Sequence, residues 1–205
     1  MKNAAPPAKA GYHHGNLKAA LVEAADAILR DKGVEGFSLR EAARRAGVSI
    51  GAPAHHFGSA TGLLTEVALL GYDSLGEALN AVAATDDPAA DLRALALAYV
   101  RFALAYPGRF RLMFRQDLVN RDDPRYATAS TNALSGFAAA IMRRDTASQD
   151  MMAEVFVVWS SIHGMANLVV DGKAKYLFGG ATPDAFAEDI LPGLLEDAWP
   201  FGRAN

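Results

Sequence analysis

Apolar residues recur along this chain at spacings of three and four, the period of a helix with one buried face. Leu17, Leu21, Ala24, Ala25 and Ile28 share one side of a first predicted helix, capped by Asn16 and ended after Lys32 by Gly33. Ser38 followed by Glu41 reads as a capping box: the hydroxyl accepts from the Glu41 amide, and the carboxylate accepts from the Ser38 amide. A second, short helix starts there and runs to Ala46, where Gly47 can turn left-handed at no steric cost. Ala43, four residues before that glycine, is small enough to let another helix cross closely. Val48 then offers an apolar contact at the turn, and Ser49 is placed to cap a third helix. Helix, glycine turn and helix make a helix-turn-helix, although the same residues also fit an ordinary helical hairpin.

Further along, Ser59 caps a fourth helix with Leu63, Leu64, Val67, Leu70 and Leu75 inside, running towards Ala83. Thr85-Asp86-Asp87-Pro88 breaks the chain, and Pro88 suits the first turn of a fifth helix ending near Tyr106. After Pro107-Gly108 a short sixth helix covers residues 109–115, and Asp122-Asp123-Pro124 opens a seventh that continues to Arg144. Thr146 with Gln149 is a second capping box. It opens an eighth helix rich in large apolar residues, which Asp171-Gly172 closes. Lys173 to Gly180 reads as a loop, and Thr182-Pro183 starts a ninth helix through Ile190, Leu194, Leu195 and Trp199. No stretch shows the period of two that a half-buried strand requires. The expectation is an all-α chain, with a disordered arm over residues 1–10, a helix-turn-helix head over 11–59 and a larger helical body over 60–205.

The formal net charge of −3 over 205 residues hides an asymmetry. Residues 1–60 carry eight Lys and Arg against five Asp and Glu, with four of the five histidines, whereas the remainder carries twelve against eighteen. A basic head on an acidic body suits contact with nucleic acid at one end only. No cysteine is present, which excludes disulfides, thiolate catalysis and cysteine-ligated zinc. The first ten residues, with two lysines, two prolines and no apolar run, read as neither a signal peptide nor an anchor. Val155 to Val170 is the most apolar stretch, but it contains His163 and Asn167 and reads as too short and too polar to span a membrane. A cytoplasmic protein is expected.

The run Ser38-Leu39-Arg40-Glu41-Ala42-Ala43-Arg44-Arg45-Ala46-Gly47-Val48-Ser49, with His55-His56-Phe57-Gly58-Ser59 and Leu63-Leu64 beyond it, resembles the DNA-binding signature of the TetR family of transcriptional regulators. Tyr12-His13-His14-Gly15-Asn16-Leu17 is similar to the entry segment of one branch of that family, and Trp159-Ser160-Ser161-Ile162-His163-Gly164 to the Trp-His-Gly segment of its C-terminal domain. The resemblance therefore covers nearly the whole chain. It implies a homodimer through the eighth and ninth helices that presents two heads to a pseudo-palindromic operator and is released by a small effector.

In this scheme Ser38 and His56 match positions that hold phosphates, and Arg40 matches one that reaches a base edge. Lys9, Tyr12, His13, His14, Lys18, Arg44 and Arg45 are further phosphate candidates. Ser49, at the start of the third helix, and the reading positions Ile50, Gly51, Ala52, Ala54 and His55 complete the DNA-facing set. Among the reading positions only His55 can hydrogen-bond a base through its side chain, while the small apolar residues suit thymine methyls. The family usually has an aromatic residue where Ala54 stands, a lysine where Ala60 stands and a charged residue where Gly62 stands. Losing the first two should weaken binding and flatten its salt dependence. A dimeric small-molecule or protein-binding module with weakened DNA binding is therefore the alternative.

For the effector, Phe102, Phe110, Met113, Phe114, Phe137, Met152, Phe156, Trp159 and His163 are expected to converge among helices five to eight, lining a pocket for a flat or hydrophobic molecule. The same side chains would equally serve as plain core. Trp159, His163 and Asn167 share one helix face, at successive spacings of four. No metal or organic cofactor is expected: the adjacent pairs His13-His14 and His55-His56 point about 100° apart on a helix and have no third ligand at the right spacing. No metalloprotease, nucleophile-elbow or phosphate-loop motif is present, so an enzyme is not expected.

Overall fold

Caps and breakers set the helices of this computed structural model, which describes residues 14–144 and 151–199. The arm residues Lys9, Tyr12 and His13 and the Thr146–Gln149 capping box lie outside that range. Helix α1 spans His14–Lys32, so Asn16 falls inside its first turn instead of capping it. Gly33, at φ 68°, turns the chain into a single tight helical turn at Val34–Gly36. Helices α2 (Leu39–Arg45) and α3 (Ala52–Phe57) follow. Next come α4 (Ala60–Asn80), whose first turn is capped by the Ser59 hydroxyl 3.1 Å from the Gly62 amide, and α5 (Pro88–Ala105), capped by Asp87.

Helix α6 (Pro107–Met113) starts two residues earlier than its breaker suggests, because proline is well tolerated at a first helical position. The expected seventh helix is instead two: α7 (Pro124–Asn132) and α8 (Ser135–Arg144). Before the break, the hydroxyls of Thr128, Ser130 and Thr131 donate back to carbonyls of their own helix, and at it Ser135 donates to the Asn132 carbonyl, a competition that loosens the ladder. The bend brings Phe137 and Ile141, both fully buried, onto α5. Helix α9 spans Met151–Val170. Thr182 caps the last helix, α10 (residues 183–198), whose turns widen at Phe186–Ile190 and Leu194–Ala198. Pro192, between these wide turns, has no amide to donate.

Among the described residues there is no strand, and the chain is all-α. Helix α4 is the spine: it packs against α1 and α3 at one end and against α5, α6 and α7 along its length. Helix α5 is the centre of the body, with Leu92, Tyr99 and Val100 fully buried between α4, α8 and α9. Helix α9 is longer than the apolar stretch read from sequence, and by length and composition alone it could cross a membrane. Its inner face, Val155, Val158, Ile162, Ala166 and Val169, is instead buried against the body.

Two close approaches lock these elements. A Cβ on Gly62 would sit 2.0 Å from the Phe57 carbonyl oxygen, and one on Gly108 would sit 2.8 Å from the Leu29 backbone. The first seats the end of α3 on the first turn of α4; the second seats α6 on α1. Gly62→Ala is expected to push α3 off α4 and to cost about 1–3 kcal/mol, as overpacking does. Thermal unfolding followed by circular dichroism checks this.

Candidate DNA interface and effector region

The head is held by its turn. Helix α2 ends with the Val48 amide donating to the Ala43 carbonyl (3.0 Å) and the Gly47 amide to that of Arg44 (3.3 Å), with Gly47 at φ 69°. Ala43 is fully buried at the crossing. Ser38 accepts from the Glu41 amide at 3.2 Å, but the second half of the expected capping box is replaced. The Glu41 carboxylate takes Arg44 (2.8 and 2.9 Å), Arg45 (3.1 Å) and Lys32 (3.4 Å) instead. These cations hold Glu41 well below the usual carboxylate range, and Arg45 does the same, more weakly, for Asp31, 2.7 Å away.

Arg45 therefore points into the head, only 21% exposed, tying α2 to α1 rather than facing a phosphate. Ser49 does not cap α3. It is exposed, and its carbonyl accepts from Ala52 in a turn, so that α3 begins at Ala52 behind Gly51. Pro53 is the buried anchor of α3, with Phe57 partly buried one turn on. Ile50, Gly51, Ala54 and His55 are exposed together on the other side, with Ala52 half-buried. Arg40 is exposed at the start of α2, and His56 lies half-buried edge-on to Phe57. Ser38, Arg40 and the exposed edge of α3 thus belong to a single small head, with Lys18 exposed on α1.

The effector residues divide. Phe102, Phe110, Met113 and Phe137 are at most 3% exposed and are packed core. Met152 and Phe156 face outward from α9, 68% and 64% exposed, away from the core of the described residues. Only Phe110, Phe114, Trp159 and His163 converge: the His163 ring lies 4.3 Å from Phe114, 5.3 Å from Phe110 and 5.5 Å from Trp159, centre to centre. The Tyr99 hydroxyl sits 3.0 Å from His163 Nδ1. Burial pushes the imidazole below its ordinary value and the Tyr99 phenol upward. Asn167 turns back to donate to the His163 carbonyl at 2.8 Å. An open groove of about 1230 Å³ lies elsewhere, between α1, α4 and α7.

Sequence reasoning missed the connection between head and body. Arg109 on α6 donates twice to Asp26 on α1, both at 2.7 Å, and to the Ser74 hydroxyl on α4 at 3.0 Å, over the Tyr106 ring. Arg111 and Phe114, also from the α6 segment, reach the Val170 carbonyl with Asp171 and the His163 ring. Asp26 and Arg109 are 83 residues apart, and no local pattern pairs them.

This arrangement, a helix-turn-helix head joined through α4 and α6 to an all-α body, is that of a bacterial DNA-binding regulator. Two family models match the chain: "Bacterial regulatory proteins, tetR family" over residues 21–67, and "Tetracyclin repressor-like, C-terminal domain" over residues 92–194. The chain belongs to the TetR family and is a transcriptional regulator, not an enzyme. A solved protein of unknown function from Rhodococcus sp. RHA1 is similar over 96% of this chain and 100% of its own, with 29% identity and a TM-score of 0.74. The TetR family transcriptional regulator PfmR from Thermus thermophilus shares the fold at 22% identity and a TM-score of 0.63, over 85% of this chain and 93% of its own. A second Rhodococcus protein, a transcriptional regulator, does so at 24% identity and a TM-score of 0.62, over 87% and 95%. No curated protein matches.

Two titrations follow from the shifted groups. Glu41 ionises more readily folded than unfolded, so its stabilisation is complete above its unfolded value of about 4.3 and is lost as pH falls below that. The difference in melting temperature between wild type and Glu41→Gln is expected to be largest near neutral pH and to close on acidification. His163 is lowered by burial, so its NMR titration midpoint is expected below the ordinary value of about 6.5. It should move up in Phe114→Ala, which opens the ring to water.

Proposed function

We propose that this regulator is a homodimeric repressor that binds a pseudo-palindromic operator and is released by a small hydrophobic or aromatic effector. The observation that carries the reading is the head itself: a tightly turned helix-turn-helix whose outer edge leaves Ile50, Gly51, Ala54 and His55 exposed beside Arg40. Ser38, Arg40 and His56 hold the DNA, with Tyr12 and His13 of the arm as further contacts. The head extends over residues 11–59 and the ligand-binding and dimerising body over 60–205.

The outer stripe of α9, with Met152, Phe156, Val157 and Leu168 around the small Ser160 and Gly164, supports a partner helix from a second copy. Helix α10 packs beside α5 and completes the interface. Two heads then meet half-sites about one helical turn apart or slightly more. The effector sits against Phe114, Trp159 and His163, with the imidazole and the Tyr99 hydroxyl as its polar partners. From there α6 reaches both α1 and α4, so a ligand favouring one position of α6 shifts the population of head placements. A tenfold loss of operator affinity needs about 1.4 kcal/mol of differential binding.

Fluorescence anisotropy on tiled duplexes from the DNA flanking the gene, at two salt concentrations, tests this. Specific binding is expected, with a shallow salt slope because Ala54 and Ala60 contribute no phosphate contact. Arg40→Ala is expected to lose roughly 1–3 kcal/mol of discrimination. Weak, sequence-blind binding unchanged by Arg40→Ala would favour the binding module with decayed DNA contacts.

A further inference from the structure

We infer that this regulator reads its operator chiefly through base methyl groups, with Ile50 as the residue that determines specificity. The inference rests on the DNA-binding reading above. The side chains that could form hydrogen bonds with bases are few, and the structure removes some of them from contention. Arg45 is folded inward on Asp31 and Glu41, and Arg44 is held bidentately by Glu41. Ser49 stays exposed ahead of α3, but its hydroxyl both donates and accepts and so discriminates little between bases. The exposed edge is then Ser49, Ile50, Gly51, Ala54 and His55, and three of those five carry no side-chain donor or acceptor.

Ile50 is 66% exposed, although its neighbours Val48 and Pro53 are drawn into the head. It stands at the turn just before α3, where the described residues leave most of its side chain open. Gly51, which has no side chain, and Ala54, which has only a methyl group, flank it, so that α3 can lie close to the floor of a major groove. The chemistry that such a surface recognises is the C5 methyl of thymine, the one apolar group that a base pair displays there. His55 adds a single hydrogen-bonding position, and Arg40, from the start of α2, adds a guanine position at the edge of the site. An operator half-site therefore contains thymines facing Ile50 and Ala54.

The test uses the full-length protein and a duplex enriched by it from a random double-stranded library. Each thymine in that duplex is replaced in turn by uracil, which deletes only the methyl group. Affinity is expected to fall about four-fold at one or two positions in each half-site, the value of one buried methyl. Ile50→Ala is expected to bind the thymine and uracil duplexes equally at the position that faces Ile50. Because Ile50 is exposed, the variant should keep the wild-type melting temperature, which is measured alongside. Cytosine introduced at the same positions should also weaken binding, and 5-methylcytosine there should restore part of the lost contact. If the enriched duplex binds specifically and every uracil substitution is neutral, methyl reading is wrong while the DNA-binding function stands. If no duplex is enriched, both fall together.

Discussion

Arg109 sits where the two ends of the molecule meet, and the remaining geometry depends on what it holds. Its guanidinium is only 14% exposed and grips an Asp26 carboxylate that is 18% exposed. It also takes the Ser74 hydroxyl and lies over Tyr106, so one side chain joins α1, α4 and α6. A planar, bidentate pair is suited to this because it fixes orientation as well as distance. Without it the head would rest on the body through apolar contacts, which tolerate sliding, and the exposed Arg115–Glu35 pair. The close seat of Gly108 on Leu29 has the same effect at the backbone. Helix α6 is thereby a short strut with the head at one end and the His163 aromatic cluster at the other.

Much of the frame was legible because it is written locally. The Ser38 and Ser59 caps, the Gly47 turn, the Asp87-Pro88 start of α5 and the Thr182 cap all lie within a few residues of the structures they specify. The family signature lies in the same local stretches. What failed was non-local or a matter of side-chain competition. Glu41 had a nearby amide to cap but met three cations brought in by α1 and its own helix. The seventh helix broke because its hydroxyls and Ser135 bond to the backbone, and periodicity does not register that.

The effector region shows the sharper limit. Nine large residues with the right chemistry were assigned one wall, and tertiary packing sent them to three different places. Phe102, Phe110, Met113 and Phe137 went to the core, with Phe110 also against His163. Met152 and Phe156 went to the outer face of α9. A helix apolar all round has two faces to dispose of, and periodicity alone does not say which one meets the body. Tyr99, which meets His163 from α5, was not singled out at all, since a tyrosine in an apolar helix reads as ordinary core.

The seat of α3 on α4 through Gly62 makes the reading head and the long helix behind it one stiff piece. Helix α4 has 21 residues, so it is a rod of roughly 31 Å at the usual rise per residue. A tilt of about 5° at its body end would carry the reading edge roughly 3 Å sideways over that length. In a two-headed assembly the displacements of the two rods add. The mechanical advantage lies in the rod, so a very small movement at its body end displaces the reading edge.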